Sequence, residues 1–392
     1  MKKIVSILNA IYLATAPALA IYLLSNGIQF NWILIAILFF LNIIVGNVPG
    51  SFKNRKNEFF WFLIILVLGF IGAIINTEIF YDNILFWHNL AGIVFFFIAL
   101  INFTTYCNIN VFIKTLYFIG GAAAVICIFQ RAMLLITGAF FSNFFIPWLE
   151  VNRDIETLTE NRVSAFFTEP AHLSIFLLPV FYLALNNKKF LLAVLYAAGI
   201  LFSGSTTGFI LLALLLLVFL GKMKIKKTTR LLLAVLLIFT CFIIFTYFPD
   251  VFFDNFDKLS STDSDSKRLL GPLSYIQLFE NYQIWFGVGL NQINGFLKMN
   301  GIIVTNDYGI VKNANYANSF LYMMLSYGIV GLFFYITYLI KTIRTHKSDI
   351  GFVIYAIGIL ASDQVLFNRN LLYVLTFLLF SSYLLTLNKK IE

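Results

Sequence analysis

The sequence predicts an all-α integral membrane protein, with about twelve transmembrane helices in one polytopic domain over residues 1–392. Hydrophobic residues make up 60% of the chain and charged residues only 11%, against roughly a quarter charged in soluble domains. The apolar residues come in charge-free runs, such as Ile4 to Leu24, Phe59 to Ile75 and Leu231 to Tyr247. Each run is long enough as a helix to cross a hydrocarbon core of roughly 30 Å. The formal charge of +9 sits in short clusters between these runs. With no continuous basic face or interleaved aromatic platform, nucleic acid is excluded as a partner, and the clusters read as topology signals.

The first helix, about 4–25, follows Lys2 and Lys3. Its start imitates a secretory signal up to Ala18-Leu19-Ala20, but the apolar run continues to Leu24, so an uncleaved helix is expected. Helices at about 31–47 and 59–76 flank the Lys53–Lys56 cluster, and a short connection holding Glu78 and Asp82, a candidate metal pair, leads to 84–102. A long apolar run gives 111–137, and Pro170 opens 170–186. Residues 190–203 and 206–220 are either one interrupted helix or two short ones turning at Ser203-Gly204-Ser205-Thr206-Thr207-Gly208. Two are expected, because one would export the basic cluster Lys222–Arg230. At about 1.5 Å per residue each spans only about 20–22 Å, so the turn lies at membrane depth, either as a flexible turn or lining a cavity. The remaining helices are expected at about 231–248, 316–340, 350–366 and 371–387. This arrangement puts Lys2, Lys3, Lys53, Arg55, Lys56, Lys114, Lys188, Lys189, the Lys222–Arg230 cluster, Lys341, Arg344, Lys347, Lys389 and Lys390 on one side. The positive-inside rule makes that side cytoplasmic, together with both termini.

Two large loops, about 138–169 and 249–315, are then extracytoplasmic and hold most of the polar chemistry. Within the second, Pro272 to Glu280 reads as a short amphipathic helix at the membrane surface, with Leu273, Ile276 and Phe279 on one face. At the end of the first, Glu169, Pro170 and His172 share one helical turn, where the helix dipole favours a carboxylate and a neutral imidazole. Such a pair can orient or deprotonate a sugar hydroxyl, or Glu169 can simply cap the helix while His172 packs. Arg153, Arg162 and Arg268 are candidates to clamp phosphate oxygens bidentately, and equally suit surface ion pairs. Gly287-Val288-Gly289 is a lone GxG with no phosphate-loop context. Asp263 and Asp265 lie in a polar run that reads as a solvated loop. Cys107, Cys127 and Cys241 are isolated, which excludes a disulfide framework or zinc site. Among ionisable residues in the apolar segments, His88 reads as packed or interfacial, and Arg131 and Asp363 lie near helix ends.

Four segments in order, RVSAFFTEPAHLSIFLLP, LFSGSTTGFILLALLL, KRLLGPLSYIQLFENYQIWFGVGLNQ and ANSFLYMMLSYGIVGLFFYI, resemble the O-antigen ligase and polymerase superfamily, most closely its Wzy-type polysaccharide polymerases. The resemblance covers roughly residues 160–340. It implies a GT-C-like bundle in the bacterial cytoplasmic (inner) membrane, whose outward-facing cavity receives undecaprenyl-diphosphate-linked glycans. The implied reaction is metal- and cofactor-independent glycosyl transfer that extends O-antigen or capsular repeat units. Membrane lipids and a chain-length regulator protein are the implied partners. By position, Arg162 and Arg268 match the family's loop arginines, Glu169 its acid before proline, and Asn318 the asparagine opening the late helix. Ligases of the superfamily commonly carry a histidine just before that asparagine, where this chain has Ala317. A ligase that transfers glycan to lipid A core is therefore the alternative enzyme, and a lipid-linked oligosaccharide flippase the alternative of another class. The general base stays open between Glu169, His172 and no protein base.

Overall fold

Large apolar side chains face outward over much of the molecule, and several polar ones are buried within its mostly apolar interior. Phe40, Val67, Ile74, Phe118, Leu191, Val194 and Phe333 are exposed, while Asn9, Asn42, Asn102, Gln130 and Ser326 are buried. A lipid environment rewards that arrangement, because polar groups must then find partners inside the bundle. The computed structural model describes residues 1–18, 30–76, 83–138, 163–223, 270–290, 292–302 and 317–386, and every regular element among them is helical.

Helix α1 is Lys2–Thr15, continued by a 3-10 turn at Ala16–Ala18. The α-helix gives way there to a turn containing Pro17, which lacks an N–H to extend the ladder, and the rest of the expected 4–25 segment lies outside the described residues. Helix α2, Phe30–Ile44, breaks at Gly46 (φ +71°) and bends by 101° into α3, Val48–Asn54, instead of running to residue 47. Then come α4, Lys56–Ile75, and α5, Asn83–Ile98, with a π-helical extension Ala99–Phe103. Helix α6, Ile109–Thr137, is capped by the Asn108 side chain and by Gly138 in the left-handed region. Helices α7, Pro170–Asn186, α8, Phe190–Phe202, and α9, Thr206–Lys222, match the expected segments, including the division of 190–220 into two. Three short helices follow, α10 Leu270–Ile276, α11 Asn281–Phe286 and α12 Ile293–Met299. The last are α13, Ser319–Thr345, α14, Ile350–Ser362, and α15, Arg369–Thr386.

Among the described residues five helices are long and apolar enough to cross a membrane, or six if the bent pair α2 and α3 counts as one span. Helices α7, α8, α9 and α14 are apolar but shorter. The helix expected at 231–248 lies outside the described residues, as do most of the two large loops.

Side-chain contacts sort the helix ends into two groups. At one end, Asn108 N–H donates to the Ser6 carbonyl, Arg55 meets His346, Asn187 donates to Tyr117, and Lys222 contacts Asp349. Here lie Lys2, Lys3, Lys53, Arg55, Lys56, Lys188, Lys189, Lys222, Arg344 and Lys347. At the opposite end, Gln130 of α6 is bonded to Ala165 before α7, Gln283 of α11 to Asn76 after α4, and Ser319 of α13 to the Asp363 carbonyl after α14. Successive long helices therefore alternate in direction from α4 to α9 and again from α13 to α15.

Helix α7 is the centre. Every residue from Leu173 to Leu185 is buried, as expected of a helix that is hydrophobic all round. Pro179 interrupts its ladder and leaves the Ile175 carbonyl without its helical donor. Tyr355 of α14 donates its hydroxyl to that oxygen at 2.9 Å, and Tyr373 of α15 donates to the Phe176 carbonyl at 3.0 Å. The Ser203-Gly204-Ser205 turn also packs on α7: Ser203 and Ser205 are buried, and a Cβ on Gly208 would lie 2.3 Å from Ser174 Oγ.

Candidate functional site

The segment entering α7 is built to hold Glu169 and His172 at the bundle end opposite the lysines. Gln130 of α6 clamps the backbone of Ala165, accepting from its N–H at 2.8 Å and donating to its carbonyl at 3.2 Å. Ala165 sits at φ +52°, which turns the chain sharply. Ser164 Oγ donates to the Phe167 carbonyl, and the Phe167 ring stacks towards Phe176 inside the core. The chain then reaches Glu169 in extended conformation, with Pro170 as the first helical residue. Glu169 makes no side-chain capping bond and is partly exposed, so its carboxyl group is not spent on closing the helix. His172 Nδ1 lies 2.5 Å from Thr168 Oγ1, a contact that fixes the ring one turn into α7.

Asn318 opens α13 as its N-cap, its Oδ1 accepting from Leu321 N–H at 3.0 Å. The next residue, Ser319, binds the Asp363 carbonyl through both its N–H and hydroxyl and accepts from Val365 N–H. That stitching ends α14 at Ser362, with Asp363 extended, short of the expected residue 366. Ala317 is buried beside Val288, Ile293 and Leu325. Asn318 thus anchors the start of α13.

The GxG segment has a structural task. Gly328 (φ 68°, ψ −170°) breaks α13, which otherwise runs on to Thr345, past the expected 340. The break strips the Leu325 and Ser326 carbonyls of helical donors, and the Val288 and Gly289 N–H groups fill them at 2.9 and 3.0 Å. Backbone meets backbone closely: a Cβ on Gly328 would lie 2.1 Å from the Trp285 carbonyl oxygen, and one on Gly287 2.4 Å from Ser326. These amides are therefore consumed within the protein rather than presented to a phosphate. Helix α10, which stands where a helix over 272–280 is expected, is also shorter than that segment. It ends at Ile276, with Leu273 exposed, while Tyr275, Ile276 and Phe279 pack against the cluster of Val288, Phe296 and Leu325.

A cavity of about 160 Å³ lies at the same end, between α1, α2, α5, α13 and α15. Its polar and aromatic lining comprises Tyr12, Asn31, Trp32, His88, Asn89, Tyr322, Asn368 and Arg369. Tyr12 donates to Asn31 Oδ1 at 2.7 Å, and Trp32 is held against His88 and Phe95, with ring centres 4.5 and 5.5 Å away. His88 is thus packed, as expected, but on a cavity wall.

Of the sequence candidates, Glu169, His172 and Asn318 lie at this end, though none lines the cavity. Arg153, Arg162 and Arg268 lie outside the described residues, as do Glu78, Asp82, Asp263 and Asp265. Sequence reasoning missed Arg369. Its signal was an arginine in Asn368-Arg369-Asn370, at a helix start on the side the positive-inside rule leaves poor in cations.

Residues 191–336 match the Wzy_C family model, described as O-antigen ligase. The match runs from α8 into α13 and supports the O-antigen ligase/polymerase superfamily, whose members are glycosyltransferase-like enzymes. It does not separate polymerase from ligase. No curated protein matches the chain.

Proposed function

With the match over residues 191–336 as premise, we propose that the chain is a glycosyltransferase that polymerises undecaprenyl-diphosphate-linked repeat units at the outer face of a bacterial cytoplasmic membrane. The family match carries this reading. In support, the lysine-rich helix ends gather on one side, as the positive-inside rule requires of a cytoplasmic face, and the partly exposed Glu169 and His172 lie on the other. The proposed architecture is a GT-C-like bundle of about twelve helices with two large outer loops. In the reaction, the bond between the anomeric carbon and the diphosphate oxygen breaks, a bond from that carbon to an acceptor hydroxyl forms, and lipid diphosphate leaves with the electron pair. The acceptor proton passes to Glu169, to His172, or to the departing diphosphate. Arg162 and Arg268 are proposed to stabilise the leaving group, with Arg153 and Asn318 completing substrate binding. The buried Ala317, where ligases commonly carry histidine, favours polymerase over ligase.

Reconstituted protein supplied with synthetic lipid-linked repeat units, without metal or nucleotide, is expected to produce a ladder of longer glycans. A single product on added lipid A core would identify a ligase, and lipid translocation without new glycosidic bonds would identify a transporter. Within the ladder assay, substituting the general base, Glu169→Gln or His172→Asn, should slow elongation by about 10²–10⁴-fold. Both variants within a few-fold of wild type would leave catalysis without a protein base.

A further inference from the structure

The motif-bearing loops leave the cavity around Arg369 without an assignment, and its chemistry is specific. Arg369 supplies a permanent cation, and no carboxylate lines the cavity among the described residues. Asn31, Asn89 and Asn368 bring amides to the walls, the groups that suit sugar hydroxyls. Trp32, fixed between His88 and Phe95, makes one wall rigid. The volume of about 160 Å³ is comparable with the roughly 150 Å³ cavity that takes one benzene. It takes one sugar ring, with the attached phosphate lying against the partly exposed Arg369, and is too small for a polyprenyl tail. The lining residues of α1, α2, α13 and α15 lie within about two turns of the end that holds Glu169 and His172, and those of α5 continue inward from it, so a headgroup would enter from that end.

We infer that this cavity is a binding subsite for the sugar-phosphate headgroup of a lipid-linked glycan, with Arg369 holding the phosphate and the Asn31, Asn89 and Asn368 wall holding the sugar. The assignment rests on the proposed glycosyltransferase reading for its ligand class. The proposed ligands Asn31, Asn89, Asn368 and Arg369 all lie outside the family-matched stretch, while Leu290 and Tyr322 within it complete the cavity wall.

The test uses the full chain in lipid nanodiscs, titrated with a short-chain polyprenyl-diphosphate N-acetylhexosamine, the same lipid diphosphate without sugar, and inorganic diphosphate. The sugar lipid is expected to bind most tightly. Arg369→Gln should weaken it about 10- to 100-fold, and Arg369→Lys, which keeps the charge but not the fork, by less. Gly92 lines the cavity, and a Cβ there would sit 3.5 Å from Trp32, so Gly92→Ala fits while Gly92→Leu intrudes and should also weaken binding. Melting curves establish that each variant is folded. Wild-type affinity in both folded Arg369→Gln and Gly92→Leu would overturn the inference, as would equal binding of inorganic diphosphate and the sugar lipid. The two proposals fail separately. If wild type elongates glycans and Arg369→Gln does so with unchanged KM and kcat, the subsite is wrong and the enzyme reading stands. If Arg369-dependent binding is found in a chain that never elongates, the subsite stands and the enzyme reading fails.

Discussion

Single side chains at the two ends of the bundle are held for different purposes. At the polar end the Thr168 contact orients His172, while the Glu169 carboxyl group makes no capping bond, an arrangement that leaves an acid at a helix start available to a substrate. At the basic end His346 closes α13 against Arg55, whose guanidinium lies 3.3 Å from the ring Nε2 and 3.9 Å from Glu58. Arginine can only donate, so Nε2 is the acceptor and the imidazole is neutral. Burial, and then the Arg55 charge, lower the His346 pKa from 6.5 to about 4. The unfolded chain therefore binds more protons between these two values, and stability falls as pH drops from about 6.5 towards 4. Partial exposure of the ring limits the loss to about 1 kcal/mol, or roughly 1–2 °C. Thermal unfolding in detergent at pH 7 and pH 5 should show a larger drop for wild type than for His346→Gln, whose amide oxygen still accepts from Arg55. An equal drop in both would assign the acid sensitivity to other groups. That Glu169 and His172 share one helix start was legible in the sequence because both lie within one turn of Pro170. The wall of Tyr12, Asn31, His88 and Arg369 was not, because its members are separated by up to hundreds of residues and no local spacing links them.

Among the elements, two interrupted helices are answered by donors from elsewhere in the chain. Pro179 in α7 is answered by Tyr355, and Gly328 in α13 by the amides of Val288 and Gly289. In lipid an unanswered carbonyl has no water to turn to, so each break requires its partner. Tyr355→Phe keeps the ring and removes only the donor, and should destabilise the protein by about 1–3 kcal/mol. The decisive measurement is a double-mutant cycle. Pro179→Ala restores an N–H to serve Ile175, so Tyr355→Phe should cost clearly less in that background. Additive losses would mean that the tyrosine is not serving the proline gap. Apolar runs made the existence of these elements readable, and Pro170 marked the start of α7 to the residue. Their ends were less readable where contacts distant in sequence decide them. Helix α14 stops where Ser319 captures the Asp363 carbonyl, and α2 stops at Gly46 because the chain turns through 101° into α3. The Gly287 and Gly289 pair was visible, but its use depends on a break in another helix.

For the whole molecule the governing asymmetry is charge. Among the described residues, Arg131, Lys298 and Arg369 are the cations at the end holding the cavity and Glu169, whereas the lysine pairs at residues 2–3 and 188–189, with Arg55, Lys222 and Arg344, gather at the other. A membrane protein inserts with its cation-rich short connections inside. The cavity end should therefore face outward, the side on which the proposed reaction would take place. In a background with Cys107, Cys127 and Cys241 replaced by serine, Lys298→Cys, at an exposed position near the end of α12, should react with a membrane-impermeant maleimide in intact spheroplasts. Arg344→Cys at the exposed end of α13 should react only after the membrane is opened. The reverse pattern would place Glu169, His172 and Arg369 in the cytoplasm, and a reaction at the outer face would then be impossible for this site.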